Sequence, residues 1–187
     1  MNVRQVIPKD AIPSVDDPEF RYSHPEPEDE VVGVEIDGEA RAYPIRYLNY
    51  HEIVNDRVGG VPIAATWCPL CGSVVVYERR HAGRTLEFGV SGKLADDDLV
   101  MYDRTSDSEW KQSSGECIAG AFEGDVLSVR PAAVLSWAAF RDAFPEGIVL
   151  QPPGGRSEAA SAGDRPATIE YDDAPYAEYF DSTGFGL

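Results

Sequence analysis

HEIVNDRVGGVPIAATWCPLCGSVVVYERR, residues 51–80, sets β-branched residues on both sides of a Gly-Gly pair and resumes the same alternation after CPLCG. Apolar, β-branched arms flanking a glycine turn predict an antiparallel hairpin, with residues 57–60 at its tip. That register puts His51 opposite roughly Trp67, within about two positions of Cys68 on the facing strand. CPLCG becomes the tight link into the next strand, SVVVYERR (73–80), and a third hairpin is expected through HAG to RTLEFGVSG (84–92).

Outward from this stretch the same signals recur. VVGVEIDGEARAYPI (31–45) reads as a hairpin around Asp37-Gly38, and Pro44 is placed to open a short helix over IRYLNY. ADDDLVMYDR holds a strand ending at Asp103, and EWKQ, ECIAGAF and VLSV read as short strands. A helix is expected over SWAAFRDAF (136–144), capped by Ser136, with Trp137, Phe140 and Phe144 as a packing stripe. Residues 1–30, with Pro8, Pro13, Pro18, Pro25 and Pro27, read as an extended arm across the domain. Residues 31–150 read as one β-rich core, and 151–187 as loop and tail, pinned by tyrosines. The fold class expected is mainly β (α+β): antiparallel hairpins forming a barrel or layered sheet, with one or two short helices.

Composition narrows the partners. With 33 acidic and 16 basic residues, a net charge of -17 repels phosphate backbones and anionic lipid heads, which argues against nucleic acid and membrane surfaces. Lys9, Lys93 and Lys111 are the only lysines, a carboxylate-rich and lysine-poor balance that suits a halophilic solvent. No run approaches the roughly 20 apolar residues of a membrane span. The N-terminal stretch MNVRQVIPKDAIPSVDDPEF has no apolar signal core, so a cytoplasmic location is expected.

Three cysteines in 187 residues do not make a disulfide scaffold, so Cys68 and Cys71 need a local explanation. Trp67-Cys68-Pro69-Leu70-Cys71 follows a strand as in thioredoxin, but β-branched residues rather than a helix come next, which sets that fold aside. A dithiol reading remains, in which Cys68 attacks, Cys71 resolves and His51 favours the thiolate. CPxCG between strands is also the shape of a zinc knuckle, yet no second knuckle follows: Cys117 stands alone, and His24, His51 and His81 are the nitrogen donors. The metal reading therefore joins Cys68, Cys71 and His51 around copper or zinc, with a position left for water, substrate, or a weak ligand such as Met101 or an Asp carboxylate.

A second group sits at expected strand ends, where a barrel mouth gathers polar side chains. Asp103 and Arg104 are candidate catalytic residues beside Cys68 and Cys71, and Ser91, Ser108, Trp110 and Asn55 are candidates for binding a small molecule. Asp103-Arg104 equally reads as a surface ion pair. GxSxG, P-loop and GxGxxG signatures are absent, and Asn55 stands where HExxH needs its second histidine.

AYPIRYLNYHEIVND, the Gly-Gly turn, TWCPLCGSVVVYERR, FGVSG, LVMYDR and Ser-x-Trp, taken in order, resemble the domain-of-unknown-function family 3179 from about Val31 to Leu150. The resemblance marks His51, Glu52, Asn55, Asp56, Cys68, Cys71, Ser91, Gly92, Asp103, Arg104, Ser108 and Trp110, and it implies no activity. Two functional readings stand. One is a metal-binding or thiol-based redox protein, an oxidoreductase if an enzyme, serving a small molecule or a redox partner; the other is a non-catalytic ligand-binding or structural module in which CPLC is a buried turn.

Overall fold

A computed structural model describes residues 1–21, 25–160 and 165–176. Residues 22–24, His24 among them, 161–164 and 177–187 lie outside the described residues.

Two-residue turns with both central φ angles positive organise the chain, because their twist matches that of the strands they join. Gly59 (φ 53°) and Gly60 (φ 74°) connect the paired residues Val58 and Val61, so the tip is tighter than residues 57–60. Asp37-Gly38 joins Ile36 to Glu39, and Ala82-Gly83 joins His81 to Arg84. Asp96 and Asp97, at φ 51° and 63°, close a fourth such turn between Ala95 and Asp98, where the short acidic side chains tolerate the left-handed region.

The strands form curled antiparallel sheets, including a half-barrel, with two α-helices. The middle sheet runs in the order Val129–Arg130, Ser73–Glu78, Val61–Cys68, Ile53–Val58. Its strands are apolar on both faces because both are covered. Ala64 and Cys68 pack on one side with Ile53, Phe88, Met101 and Trp110, and Ile63 and Ala65 pack on the other with Val34, Val54 and Val76. A second sheet orders Val3–Gln5, Phe88–Ala95, Asp98–Asp103, Glu109–Lys111 and Cys117–Ala119. The third is built on Glu30–Ile36 and Glu39–Pro44, with Ile148–Leu150 added in parallel.

One hairpin differs from expectation. The strand Ser73–Glu78 pairs with Val61–Cys68 and Val129–Arg130, while Phe88–Ala95 leaves for the second sheet. Only Arg80–His81 and Arg84–Thr85 pair across HAG. The cause is Arg79, whose guanidinium donates to the carbonyls of Ile63 (2.8 Å), Asp56 (3.0 Å) and Leu86 (2.7 Å), fixing the point where the chain turns from one sheet to the other.

Pro44 caps the helix Ile45–His51, and the Ser136 hydroxyl accepts from the Ala139 amide at the start of Trp137–Ala143. The N-terminal arm adds the strand Val3–Gln5, and the Val6 and Ile7 amides both donate to the Gly92 carbonyl. A Cβ at Gly92 would lie 2.1 Å from the Ile7 carbonyl oxygen. Tyr171 and Tyr50 tie the described part of the tail to the body, the Tyr50 hydroxyl donating to the carbonyls of Glu170 and Asp173. Among the described residues, no helix is long and apolar enough to cross a membrane.

The Gly-Gly turn separates two costs. A Cβ on Gly59 would meet the Ile36 carbonyl oxygen at 2.3 Å, whereas one on Gly60 would meet nothing within 4 Å. Gly60→Ala is expected to lose about 1 kcal/mol for its left-handed φ alone, and Gly59→Ala about 2–4 kcal/mol because the backbone must also move. Urea midpoints of the two variants check this ordering.

Candidate metal centre

Cys68 ends its strand opposite Ser73, and residues 69–72 form the link, with Gly72 at φ 60°. The Cys68 sulfur is buried and accepts from the backbone amides of Cys71 and Leu99, the arrangement of a metal knuckle. Cys68 and Pro69 are buried and Leu70 is half-buried, while Cys71 is exposed, so the turn is buried at its first half and open at its second. The Asp96-Asp97 turn delivers Asp98 to the same place as the first residue of its strand. One Asp98 oxygen accepts from the Ser113 amide at 2.9 Å, and the other lies 3.8 Å from the Cys71 sulfur. Ligand atoms of Cys68, Cys71 and Asp98 all fall within 4.8 Å of one another.

The cysteines and Asp98 belong to different sheets, and Gln112 joins them. This fully buried amide donates to the Thr66 hydroxyl (3.0 Å) and the Ser73 carbonyl (3.3 Å) and accepts from the Ser73 hydroxyl (2.9 Å). Its own backbone amide donates to the Leu99 carbonyl at 2.9 Å. Side chain and backbone of one residue thus hold the two edges in register.

Burial pushes the Cys68 thiol far above its ordinary range, and the adjacent Cys71 adds to the shift. The Cys71 thiol is also raised, by partial burial and by the carboxylates of Asp98 and Asp97, against a lowering contact with Cys68. Both groups are therefore thiols at neutral pH. A dithiol nucleophile gains nothing from these surroundings, while a cation placed between two thiols and a carboxylate would draw the thiol protons off. The exposed Cys71, not Cys68, is the sulfur a soluble disulfide could reach.

His51 does not join this group. Its Nδ1 lies 2.8 Å from the Pro13 carbonyl, which can only accept, so Nδ1 carries the proton. Nε2 then accepts from the Tyr171 hydroxyl at 2.7 Å, while that oxygen accepts from the Gly154 amide. Both nitrogens are engaged, and burial depresses the imidazole's pKa, which keeps it neutral. The pairing register itself is close to expectation, since the Trp67 amide donates to the Glu52 carbonyl. What changes the outcome is the backbone: His51 ends a helix, and Glu52 at φ 61°, ψ -31° redirects the chain before the strand begins.

The second group of candidates is tied into the fold. Asp103 is fully buried and accepts from the amides of Thr105 and Ser106, the Ser106 hydroxyl and the Trp110 indole. Ser108 shares that network through Ser106 at 2.7 Å. Arg104 faces Asp10, Asp16 and Glu87 and anchors the arm, which leaves its charge compensated within the protein. Ser91 donates to the Val100 carbonyl at a strand bulge, and Asn55 bonds Asp16 and both backbone groups of Phe88. Asp103 lies at the opposite end of its strand from Asp98, roughly 17 Å along it. Met101 packs in the core.

The family described as Protein of unknown function (DUF3179) matches residues 9–186. The chain belongs to this family. Comparison with curated proteins and with solved structures returns no match. The family match spans most of the arm and of the tail as well as the β-rich core, so it extends beyond the Val31–Leu150 resemblance.

Two residues with chemical weight carry no role that the sequence alone assigns: Asp98, which follows the Asp96-Asp97 turn, and Glu52. The Glu52 carboxyl is buried, and desolvation lifts its pKa to about 8 against a lowering contact with Tyr176. Between an ordinary value near 4.5 and about 8, the folded state holds a proton that the unfolded state releases, so stability falls as pH rises through that window. His51 runs the other way, losing stability as pH falls below about 6.5. From pH 6.5 to 8, stability measured by urea unfolding in chelator should decline by up to about 1.4 kcal/mol per pH unit. Glu52→Gln should flatten that decline.

Proposed function

We propose that this chain is a metal-binding protein whose ligands are Cys68, Cys71 and Asp98, with zinc as the preferred class of ion. The supporting observation is convergence: two thiols and a carboxylate share one spot, in a protein that otherwise leaves both thiols protonated. Replacing the expected imidazole by a carboxylate moves the donor set away from copper and towards zinc, a borderline ion that accepts sulfur and oxygen together. Backbone amides on the Cys68 sulfur and the Ser113 amide on Asp98 orient the ligands and spread their charge. Three protein ligands leave one tetrahedral position for water or another molecule, as in zinc sites that act on substrates.

Metal analysis and zinc titration of protein purified without chelator test the reading. One equivalent of zinc per chain is expected, with Cys71→Ser and Asp98→Asn each weakening binding by at least about 100-fold. Cys71→Ser changes an exposed side chain and Asp98→Asn keeps the shape of a buried one together with an oxygen for the Ser113 amide, so circular dichroism should be unchanged. Because two raised thiols must lose protons, affinity should drop by up to about 100-fold for each pH unit below neutrality. A chain that takes up no thiophilic metal, or that binds zinc equally well after both substitutions, contradicts the proposal.

A further inference from the structure

A cavity of about 250 Å³ opens beside the candidate metal centre, and Glu52, Cys68, Leu99, Val90, Ile12 and Tyr176 contribute to its wall. The lining is mostly aliphatic, and one buried acid is set into it. Among the described residues, the Glu52 side chain has a single hydrogen bond, accepted by Oε1 from the Tyr176 hydroxyl at a long 3.4 Å. The residue also holds φ at 61°, a conformation that non-glycine residues avoid. Burying a carboxyl with so weak a partner costs more again. Two independent penalties meet at this residue, a left-handed backbone that only glycine would relieve and a buried acid that an apolar side chain would relieve, and together they mark a group retained for what it does.

We propose that this cavity binds a small, largely apolar molecule carrying a carbonyl oxygen, and that the Glu52 carboxyl is its hydrogen-bond donor. An enclosed site of about 150 Å³ accommodates benzene, so this volume suits a ligand of roughly ten non-hydrogen atoms. The aliphatic wall selects the apolar body. Burial lifts Glu52 to about 8, so at neutral pH the group presents an O–H, and a neutral carbonyl accepts it without burying a charge. The inference does not rest on a metal, because Cys71 and Asp98 lie outside the cavity wall.

Acetophenone and its hydrocarbon isostere isopropylbenzene are the probes, titrated into the full chain and followed by NMR shifts, with and without zinc. Acetophenone should bind about tenfold more tightly than isopropylbenzene. Glu52→Leu should erase that preference while the hydrocarbon still binds, and Glu52→Gln, which keeps a donor, should retain it. Ala159→Trp, placed at the partly buried rim, should block both probes without touching Glu52. The proposal is overturned if acetophenone fails to bind up to about 5 mM, if the two probes bind equally to the unaltered chain, or if Ala159→Trp leaves binding intact. Loss of zinc binding with ligand binding preserved would sink the metal reading alone.

Discussion

The buried amide of Gln112 is the contact on which the candidate site depends. Thiols on one sheet and a carboxylate on another are held as neighbours where a single side chain satisfies Thr66 and Ser73 while its backbone holds Leu99. An amide in such a position is costly unless every group is paired, and here the pairing is what joins the two sheets. The Tyr77 hydroxyl donating to the Gln112 carbonyl closes the same seam from the core side.

Electrostatics then gives the seam a direction. Cys68, Cys71 and Asp98 bring three potential ligand atoms together, and burial keeps the Cys68 thiol protonated there. Glu52 answers the same apolar surroundings differently, by keeping its proton. Cys68 belongs both to the cluster and to the cavity wall that carries Glu52, so the cluster and a neutral hydrogen-bond donor border one apolar space.

The local architecture was legible in the residues: glycine turns, β-branched alternation, a proline and a serine at helix starts, and the CPLCG link all act over a few positions. The register that placed His51 near Cys68 was also close. Its consequence was not, because one residue, Glu52, takes a backbone conformation that no propensity scale assigns to glutamate, and the imidazole turns to Pro13 and Tyr171 instead. The third hairpin failed for a related reason, since Arg79 satisfies carbonyls from three segments and sends the chain to a new sheet. Asp98 escaped notice because three consecutive aspartates read as solvated charge, although two of them form a turn and the third starts a buried strand. Asp103 and Arg104 looked exposed and reactive in sequence; their partners come from Asp10, Asp16, Glu87 and a following serine turn, contacts set by tertiary structure.

X-ray absorption at the metal edge of the zinc-loaded chain measures the ligand set itself. The account predicts two sulfur scatterers at about 2.3 Å with oxygen at about 2.0–2.2 Å and no imidazole signature. A spectrum with histidine back-scattering, or with fewer than two sulfurs, would contradict it.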